Sequence, residues 1–226
     1  MNDKKICFIL CVNNELFFEE CCFYLSRLYV PEGYEVEIKP LVGAASMTSG
    51  YNGARKESDA KYKIYMHQDV FIINRYFLQD MLEVFATDEK LGMIGMVGAK
   101  EIAKDGVMWH SIRCGNVYGT DIPLPSIGVN EYRYDVENDG YDKVEAVDGF
   151  CIITKEDIPW REDLFDGWDF YDVSQCFEFL RNGKEIAVPR QLRPWCIHND
   201  GILSLWNYET YREILVKEYQ DMLSNK

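Results

Sequence analysis

The sequence places a histidine and an aspartate two residues apart inside an otherwise apolar segment. In Tyr62–Ile73, apolar residues lie on both sides of His67-Gln68-Asp69. A run this apolar is typical of a strand buried on both faces of a parallel sheet. Alternate side chains on a strand point the same way, so His67 and Asp69 would project together while Gln68 turns aside. An imidazole and a carboxylate at the carboxyl end of a strand can form half of a divalent-metal site.

A second interpretation of this segment needs no metal. The strand can end in polar residues with Asp69 capping the turn that follows, and the spacing of His67 and Asp69 does not separate the two interpretations.

Two adjacent asparagines mark the end of another apolar run. Asn13 and Asn14 follow Lys5–Val12, and their amides suit the edge of a nucleobase at the carboxyl end of a strand. An asparagine here can equally cap the helix that follows, so both interpretations stay open.

The elements that must position these residues alternate between strand and helix over the first hundred residues. The predicted strands are Lys5–Val12, Tyr34–Val42, Tyr62–Ile73 and Leu91–Ala99, and the predicted helices are Glu15–Leu28, a short one from about Ser49 to Ser58, and Arg75–Thr87. This alternation predicts an α/β fold with a mainly parallel central sheet, right-handed crossovers and flanking helices.

After Lys100 the pattern changes and the strands become less regular. The predicted elements are a strand at Val107–Tyr118, a Pro/Gly loop at Thr120–Asn130, a strand at Val144–Thr154 interrupted by Asp148-Gly149, a helix at Val173–Asn182, a short strand at Ile186–Val188 and a helix at Leu205–Leu223. No linker-like segment divides the chain, so we expect residues 1–226 to form a single domain.

Composition narrows the classes of partner. The 226 residues carry a formal net charge of −14, which disfavours nucleic acid and implies that a bound phosphate ester is neutralised by a metal ion. No apolar run approaches the roughly 20 residues of a membrane span, and the first residues show no cleavable signal. The eight cysteines lie mostly in apolar runs without CxxC spacing, so we expect free thiols and a cytoplasmic location.

Four stretches carry a resemblance to a known family. They are Cys11-Val12-Asn13-Asn14, Ser49-Gly50-Tyr51-Asn52-Gly53-Ala54-Arg55, Met66-His67-Gln68-Asp69, and Phe165–Asp172 with the helix that ends at Arg181-Asn182-Gly183. In this order and spacing they resemble a GT-A glycosyltransferase of the family 2-like kind, close to the streptomycin-biosynthesis type. His67 stands where this family usually has the first Asp of Asp-x-Asp, and Tyr171 replaces the Glu of Glu-Asp.

The resemblance implies a fold, a reaction and a division of labour. It implies the GT-A fold, with residues 1–100 as the nucleotide and metal half and residues 101–226 as the acceptor half. It also implies a metal-dependent, inverting transferase of the hexosyltransferase type, which moves a sugar from a UDP-, GDP- or dTDP-sugar to a carbohydrate or other hydroxyl acceptor. The expected cofactor is Mn²⁺ or Mg²⁺, and an imidazole ligand favours Mn²⁺.

Residue roles follow from the same resemblance. The resemblance implies that Asp172 is the catalytic base and that His67, Asp69 and His198 bind the metal. It also implies that Asn13, Asn14, Asn52 and Arg55 bind the nucleotide, and that Trp168, Asp148 and Gly149 contact the acceptor or the sugar. Gly50 and Gly53 would let the backbone approach the ribose or the sugar. His110 receives no role.

Alternatives remain for the base and for the whole protein. Asp172-Val173-Ser174-Gln175 also fits a capping box, in which the aspartate only satisfies backbone N–H groups. The changes at His67 and Tyr171 allow a non-catalytic carbohydrate- or nucleotide-binding domain. A nucleotidyltransferase is a third possibility, although Cys11–Leu16 lacks the Gly-rich phosphate loop and basic residue expected of one.

Overall fold

The structure, a computed structural model, describes residues 1–120, 129–199, 201 and 204–223. The strands of this part are β1 Asn2–Val12, β2 Glu35–Val42, β3 Ala60–His67, β4 Val70–Ile72, β5 Leu91–Gly95, β6 Val97–Ala99, β7 Arg113–Thr120, β8 Val129–Tyr134, β9 Tyr141–Val144, β10 Ala146–Val147, β11 Cys151–Thr154, β12 Glu185–Pro189 and β13 Cys196–His198. Its helices are α1 Glu15–Leu25, α2 Met47–Glu57, α3 Phe77–Thr87, α4 Tyr171–Arg181, α5 Tyr208–Glu218 and α6 Gln220–Leu223, with a 3₁₀ turn at Met108–His110.

The larger sheet confirms the predicted α/β class. Its seven strands run in the order β2-β1-β3-β11-β5-β12-β9. Five of them point the same way, and β11 and β9 run antiparallel to their neighbours. The carboxyl ends of β1, β2 and β3 therefore meet at one edge, where Cys11 pairs with His67 and Val12 pairs with Val42.

A second sheet was not apparent from the sequence. It has the strand order β10-β6-β7-β13-β4, with β8 paired to β7. The predicted strand Tyr62–Ile73 is wrong as a single element, because a turn at Gln68-Asp69 divides it into β3 and β4, which belong to different sheets. Leu91–Ala99 and Val144–Thr154 are divided in the same way. The interruption of Val144–Thr154 at Asp148-Gly149 was expected, and the turn at Gln68-Asp69 agrees with the second interpretation of that segment, in which the strand ends in polar residues. The division of Leu91–Ala99 was not expected, because its two parts are equally buried.

Alternation along β1 builds a core on each face of the larger sheet. Ile6, Phe8 and Leu10 pack on one side with buried residues of α1 and α3. Cys7, Ile9 and Cys11 face the other side and pack with α2, α4 and α5. Two-sided burial explains why the first strand is a continuous apolar run.

The remaining predictions concern a loop and the membrane. Most of the predicted loop Thr120–Asn130 lies outside the described residues, because the structure does not describe residues 121–128. None of the helices in the described part combines the length and the apolarity that crossing a bilayer requires.

Candidate active site and metal cluster

Two short strands bring a second histidine to His67 and Asp69. His67 is the last residue of β3, and Asp69 lies in the turn before β4. β13 pairs antiparallel with β4 and aligns His198 with Val70, the residue after Asp69. The Oδ1 atom of Asp69 lies 3.9 Å from Nδ1 of His67 and 3.8 Å from Nε2 of His198. The ligand atoms of all three residues lie within 4.8 Å of one another.

The chemistry of this cluster fits a divalent metal ion. The buried Nε2 atom of His198 has no hydrogen-bond partner among the described residues. Burial lowers the pKa of His198 to about 3 and the pKa of His67 to about 4, so both imidazoles are neutral and each keeps a lone pair. Two imidazole nitrogens and a carboxylate oxygen suit Mn²⁺ or a similar transition metal better than Mg²⁺. The cluster can therefore hold such an ion.

Gln68 joins the metal turn to the end of β1. Its side-chain oxygen accepts hydrogen bonds from the backbone N–H groups of Asn13 and Asn14, both at 2.9 Å, and its amide nitrogen donates to Oδ1 of Asn13. The Asn14 side chain accepts from the N–H groups of Leu16 and Phe17. Asn14 therefore caps α1, as the second interpretation of the asparagine pair expected, and its contact with a nucleotide stays a prediction.

A cavity of about 270 Å³ opens where β1, β2 and β3 end, and we call it the strand-end cavity. Among its lining residues are four of the predicted site residues: Asn13, His67, Asp69 and Trp168. The structure thus brings together predicted nucleotide, metal and acceptor residues that are far apart in the sequence.

Asn52 and Arg55 do not line this cavity. Asn52 is buried, and its amide donates to the Trp160 carbonyl at 2.8 Å and accepts from the Trp160 N–H at 3.0 Å. The Nη1 atom of Arg55 donates to the Asp157 carbonyl at 3.3 Å. Residue 52 lies one turn after Thr48, so both side chains are on the buried face of α2. Their predicted contact with a nucleotide stays a prediction that these positions do not favour.

The two glycines of α2 differ in their surroundings. A Cβ atom on Gly50 would lie 3.0 Å from Cβ of Ala44 and 3.3 Å from Cδ1 of Leu41, so Gly50 allows close packing of the helix. Gly53 faces open space, where an added Cβ atom would meet nothing within 4 Å.

A second cavity, of about 470 Å³, adjoins the first, and we call it the α4 cavity. Asp172, Asp148 and Gly149 line it, and it shares His67 and Trp168 with the strand-end cavity. The predicted base, the predicted acceptor residues and the metal cluster are therefore contiguous.

Asp172 lies in the first turn of α4 and does not form the predicted capping box. The helix begins at Tyr171, and its N-cap is Phe170, which has a φ of 56° and no side-chain capping bond. The Asp172 carboxylate accepts from the N–H of Val173 at 2.8 Å and from the N–H of Gly149 at 3.0 Å. Burial nevertheless raises the pKa of Asp172 to about 6, which is a suitable value for a general base.

Exposure separates the aromatic residues of the site from those of the core. Trp168 is 54% exposed and Trp109 is 45% exposed, and both line the α4 cavity. Trp160 and Trp195 are buried in the core, whereas Phe170 is buried and still lines the α4 cavity.

Sequence reasoning missed Trp109, Asp169 and Tyr208 as lining residues of the α4 cavity. The signal for Asp169 was its place beside Trp168, and the signal for Trp109 was an aromatic ring of the kind that stacks on sugars, whereas nothing in the local pattern marks Tyr208. His110 also lines this cavity, but its Nδ1 atom lies 2.7 Å from Oδ2 of Asp105, which pairs it outside the metal cluster.

A larger cavity lies elsewhere in the described part of the chain. It has a volume of about 900 Å³, is lined by residues of α3 and of residues 189–195, and contains none of the predicted site residues.

Comparison with known proteins places this geometry in context. The model of a glycosyltransferase-like family matches residues 7–219. No curated protein matches the sequence significantly.

Solved structures resemble the chain in fold at low sequence identity. TarS of S. aureus has a TM-score of 0.59 and 13% identity over 95% of this chain and 39% of that one. The mannosyltransferase PcManGT from Pyrobaculum calidifontis has a TM-score of 0.58 and 11% identity over 98% of this chain and 65% of that one. GalNAc-T7 has a TM-score of 0.61 and 9% identity over 97% of this chain and 50% of that one. The chain thus spans less than two thirds of each of these proteins, and the likeness shows the GT-A fold.

All three proteins have structures that contain a nucleotide, a sugar or a metal ion. A TarS fragment was solved with UDP and with UDP-GlcNAc. PcManGT was solved with GDP-Man and Mn²⁺, and GalNAc-T7 with UDP, GalNAc and Mn²⁺.

Proposed function

The chain belongs to the glycosyltransferase-like family, and from that premise we propose that it transfers a hexosyl group from a nucleoside-diphosphate sugar to a hydroxyl acceptor. The observation that carries this proposal is the contiguity of three features: a strand-end cavity, a His-Asp-His cluster and a half-buried carboxylate of raised pKa. A carbohydrate is the favoured acceptor class because an exposed tryptophan borders both cavities.

The strand-end cavity is the proposed donor site. Its position at the carboxyl ends of parallel strands is the usual place for ligands in α/β sheets. Asn13 lines it, and Gln68 fixes the backbone of Asn13 through a hydrogen bond. The neighbours solved with UDP, UDP-GlcNAc and GDP-Man support a nucleotide sugar here, and dTDP-sugars remain within the proposed donor class.

His67, Asp69 and His198 would hold the metal ion, and Mn²⁺ is the ion we propose first. A bound divalent ion would neutralise the diphosphate as the sugar leaves. The neutral imidazoles offer their lone pairs without first losing a proton, since burial lowers the pKa of both.

Asp172 is the proposed catalytic base. An inverting transfer needs a carboxylate that removes the proton of the acceptor hydroxyl on the side opposite the leaving group. Asp172 lines the α4 cavity beside Asp148, Gly149 and Trp168, which we propose as contacts of the acceptor or the sugar. The raised pKa supports this role because it makes the carboxylate more basic than an exposed aspartate.

The proposal extends to the division of the chain. We propose one domain over residues 1–226, with residues 1–100 binding nucleotide and metal and residues 101–226 binding the acceptor. His198 crosses this division, because β13 returns it to the metal cluster. Eight free cysteines support a cytoplasmic location. The proposed similarity to the streptomycin-biosynthesis type rests on the sequence motifs, and it does not identify the donor nucleotide or sugar.

A thermal-shift panel tests the donor and the metal together. UDP, GDP, dTDP and CDP are each added with and without Mn²⁺. Saturation at about 100 times the dissociation constant would raise the melting temperature by roughly 5–10 °C. We expect this shift with one nucleotide and only when Mn²⁺ is present.

An alanine variant provides the matched control. Asp69→Ala should abolish the Mn²⁺-dependent shift, whereas Asp139→Ala, which removes a fully exposed carboxylate, should leave it unchanged. The absence of a shift with every nucleotide would overturn the proposal. Binding without release of nucleotide from any donor sugar would favour a non-catalytic binding domain.

A further inference from the structure

The two residues that depart from the family motifs contact each other. His67 and Tyr171 are 104 positions apart in the sequence, yet Nε2 of His67 lies 2.7 Å from the hydroxyl of Tyr171. This hydrogen bond links the end of β3 to the first residue of α4. It therefore joins the metal cluster to the helix that carries Asp172.

The hydroxyl of Tyr171 is held firmly in place. The side chain is buried, and its ring centroid lies 6.1 Å from those of Tyr51 and Trp160. Gly149 packs against the tip of the ring, where an added Cβ atom would lie 2.6 Å from Cζ of Tyr171. The ring can neither swing away easily nor tolerate a larger residue at position 149, so the hydroxyl presents a fixed partner to His67.

A fixed partner on one imidazole nitrogen decides what the other nitrogen can do. Nδ1 of His67 faces the carboxylate of Asp69 at 3.9 Å and is the nitrogen directed towards the cluster. If Nε2 carries the proton and donates it to the tyrosine hydroxyl, Nδ1 has a free lone pair. If the hydroxyl donates to Nε2 instead, Nδ1 carries the proton and cannot bind a metal.

We propose that Tyr171 is a positioning residue that accepts a hydrogen bond from Nε2–H of His67 and so holds Nδ1 ready to bind a divalent cation. The inference rests on the metal cluster of the proposed function. Partners of this kind around metal-binding histidines typically change metal affinity by about 10- to 100-fold when removed.

Tyr171→Phe removes the hydroxyl and keeps the ring. We expect its affinity for Mn²⁺ alone, measured by calorimetric titration without nucleotide or sugar, to fall by about 10- to 100-fold. Tyr51→Phe is the matched control, because Tyr51 is an equally buried neighbour whose hydroxyl has no hydrogen-bond partner among the described residues. The control variant should bind Mn²⁺ as the wild type does.

A double-mutant cycle separates positioning from general loosening of the site. Once His67 is replaced in His67→Ala, the tyrosine hydroxyl has no imidazole to orient. Adding Tyr171→Phe to that variant should therefore change the remaining Mn²⁺ affinity by less than about twofold. An equal loss in both backgrounds would overturn the inference, because it would show an effect that does not pass through His67.

The tautomer can also be read in the wild-type protein, which keeps the inference testable if the phenylalanine variant folds poorly. Long-range ¹H–¹⁵N correlation of the His67 ring should show the proton on Nε2. A proton on Nδ1 in the protein loaded with diamagnetic Mg²⁺ or Zn²⁺ would overturn the inference.

The metal titration distinguishes this inference from the proposed function. If the wild type binds no Mn²⁺, the metal dependence of the proposed function fails and the role of Tyr171 fails with it. If the wild type binds Mn²⁺ and Tyr171→Phe binds it equally well, only the role of Tyr171 is wrong.

Discussion

At the scale of single residues, burial shifts the pKa of the two histidines and the pKa of Asp172 in opposite directions. It lowers the pKa of His67 and His198, and it raises the pKa of Asp172 to about 6. Both shifts favour the neutral form of the group, because desolvation penalises charge of either sign. For an imidazole the neutral form is the metal ligand, and for Asp172 the shift strengthens the carboxylate as a base. The same physical effect therefore suits both proposed roles.

Asp172→Asn tests the base. Asparagine cannot take a proton, so we expect transfer to fall by roughly a hundredfold or more while nucleotide binding survives. Asparagine has one carbonyl oxygen for the two N–H groups that Asp172 satisfies, so the variant should also lose about 1 kcal/mol of stability. Initial rates with a matched donor and acceptor, together with urea unfolding, measure the two effects. Comparable turnover by the variant would falsify the assignment.

Asp169→Asn is the control for that experiment. Asp169 lines the same cavity and also has a pKa raised by burial. Its replacement should reduce turnover far less than Asp172→Asn does. The reverse order would identify Asp169 as the base.

The pH dependence of the wild type follows from the raised pKa of Asp172. The base must be ionised, so the turnover number should rise with pH through about 6 and level off above it. The contribution of Asp172 to the free energy of unfolding depends on pH in the opposite direction to the turnover number. The folded protein holds the proton more tightly than the unfolded chain, so this contribution falls as pH rises from about 4 to 6. Rate profiles and unfolding curves of wild type and Asp172→Asn over pH 4.5–8 measure both; a wild-type rate that stays flat down to pH 5 would contradict the prediction.

At the scale of elements, the sequence predicted the strands that have a local residue pattern and missed the features that depend on pairing between distant strands. The apolar run Lys5–Val12 and the alternating segment Tyr34–Val42 correctly predicted β1 and β2, because burial and alternation each leave a local signature. The break between β3 and β4 has only a weak signature, the polar residues His67-Gln68-Asp69, and apolar residues on both sides of it equally suggest one continuous strand. His67 and Asp69 were thus expected together through strand alternation, whereas the structure brings them together through a turn.

Long-range pairing explains the rest of the site. His198 reaches the metal cluster because β13 pairs with β4, which no local pattern near residue 198 encodes. Its assignment came from the family resemblance. No local pattern encodes the contact between His67 and Tyr171 either, because it depends on how β3 and α4, 104 residues apart, pack against each other.

Asn52→Ala tests whether α2 is a structural or a binding element. The change removes two hydrogen bonds to the buried backbone of Trp160, and it leaves that N–H and carbonyl without the amide. We expect the free energy of unfolding to fall by about 2–4 kcal/mol, with little change in nucleotide affinity. Urea unfolding and calorimetric titration of the folded variant measure the two quantities.

Gly53→Ala is the control on the same helix. Its new methyl group meets nothing within 4 Å, and alanine favours a helix over glycine, so the variant should gain up to about 1 kcal/mol. If Asn52→Ala instead abolishes nucleotide binding without loss of stability, the predicted nucleotide contact of Asn52 is correct.

At the scale of the whole molecule, the net charge of the chain and the charges around the two cavities both favour a metal ion for binding a diphosphate. The chain carries a formal charge of −14, and no lysine or arginine is among the described residues that line the strand-end and α4 cavities. A diphosphate in these cavities would meet the carboxylates of Asp69, Asp148, Asp169 and Asp172. The electrostatics therefore favour a metal ion at the His-Asp-His cluster over direct binding of the free nucleotide.

The eight thiols offer a test of the fold as a whole. All eight cysteines are free, seven are buried, and Cys22 alone is half-buried. Burial raises the pKa of every one of them, so the reactive thiolate is scarce near neutral pH. We expect an aromatic disulfide reagent to modify about one thiol rapidly in the native protein, and none rapidly in Cys22→Ser. Unfolding in urea should make all eight thiols reactive, because the two cores that shield the others are lost together.

Rapid modification of a second native thiol would contradict this packing. If that thiol were Cys11, which lines the strand-end cavity, protection by a nucleotide with Mn²⁺ would identify the cavity as its route of access.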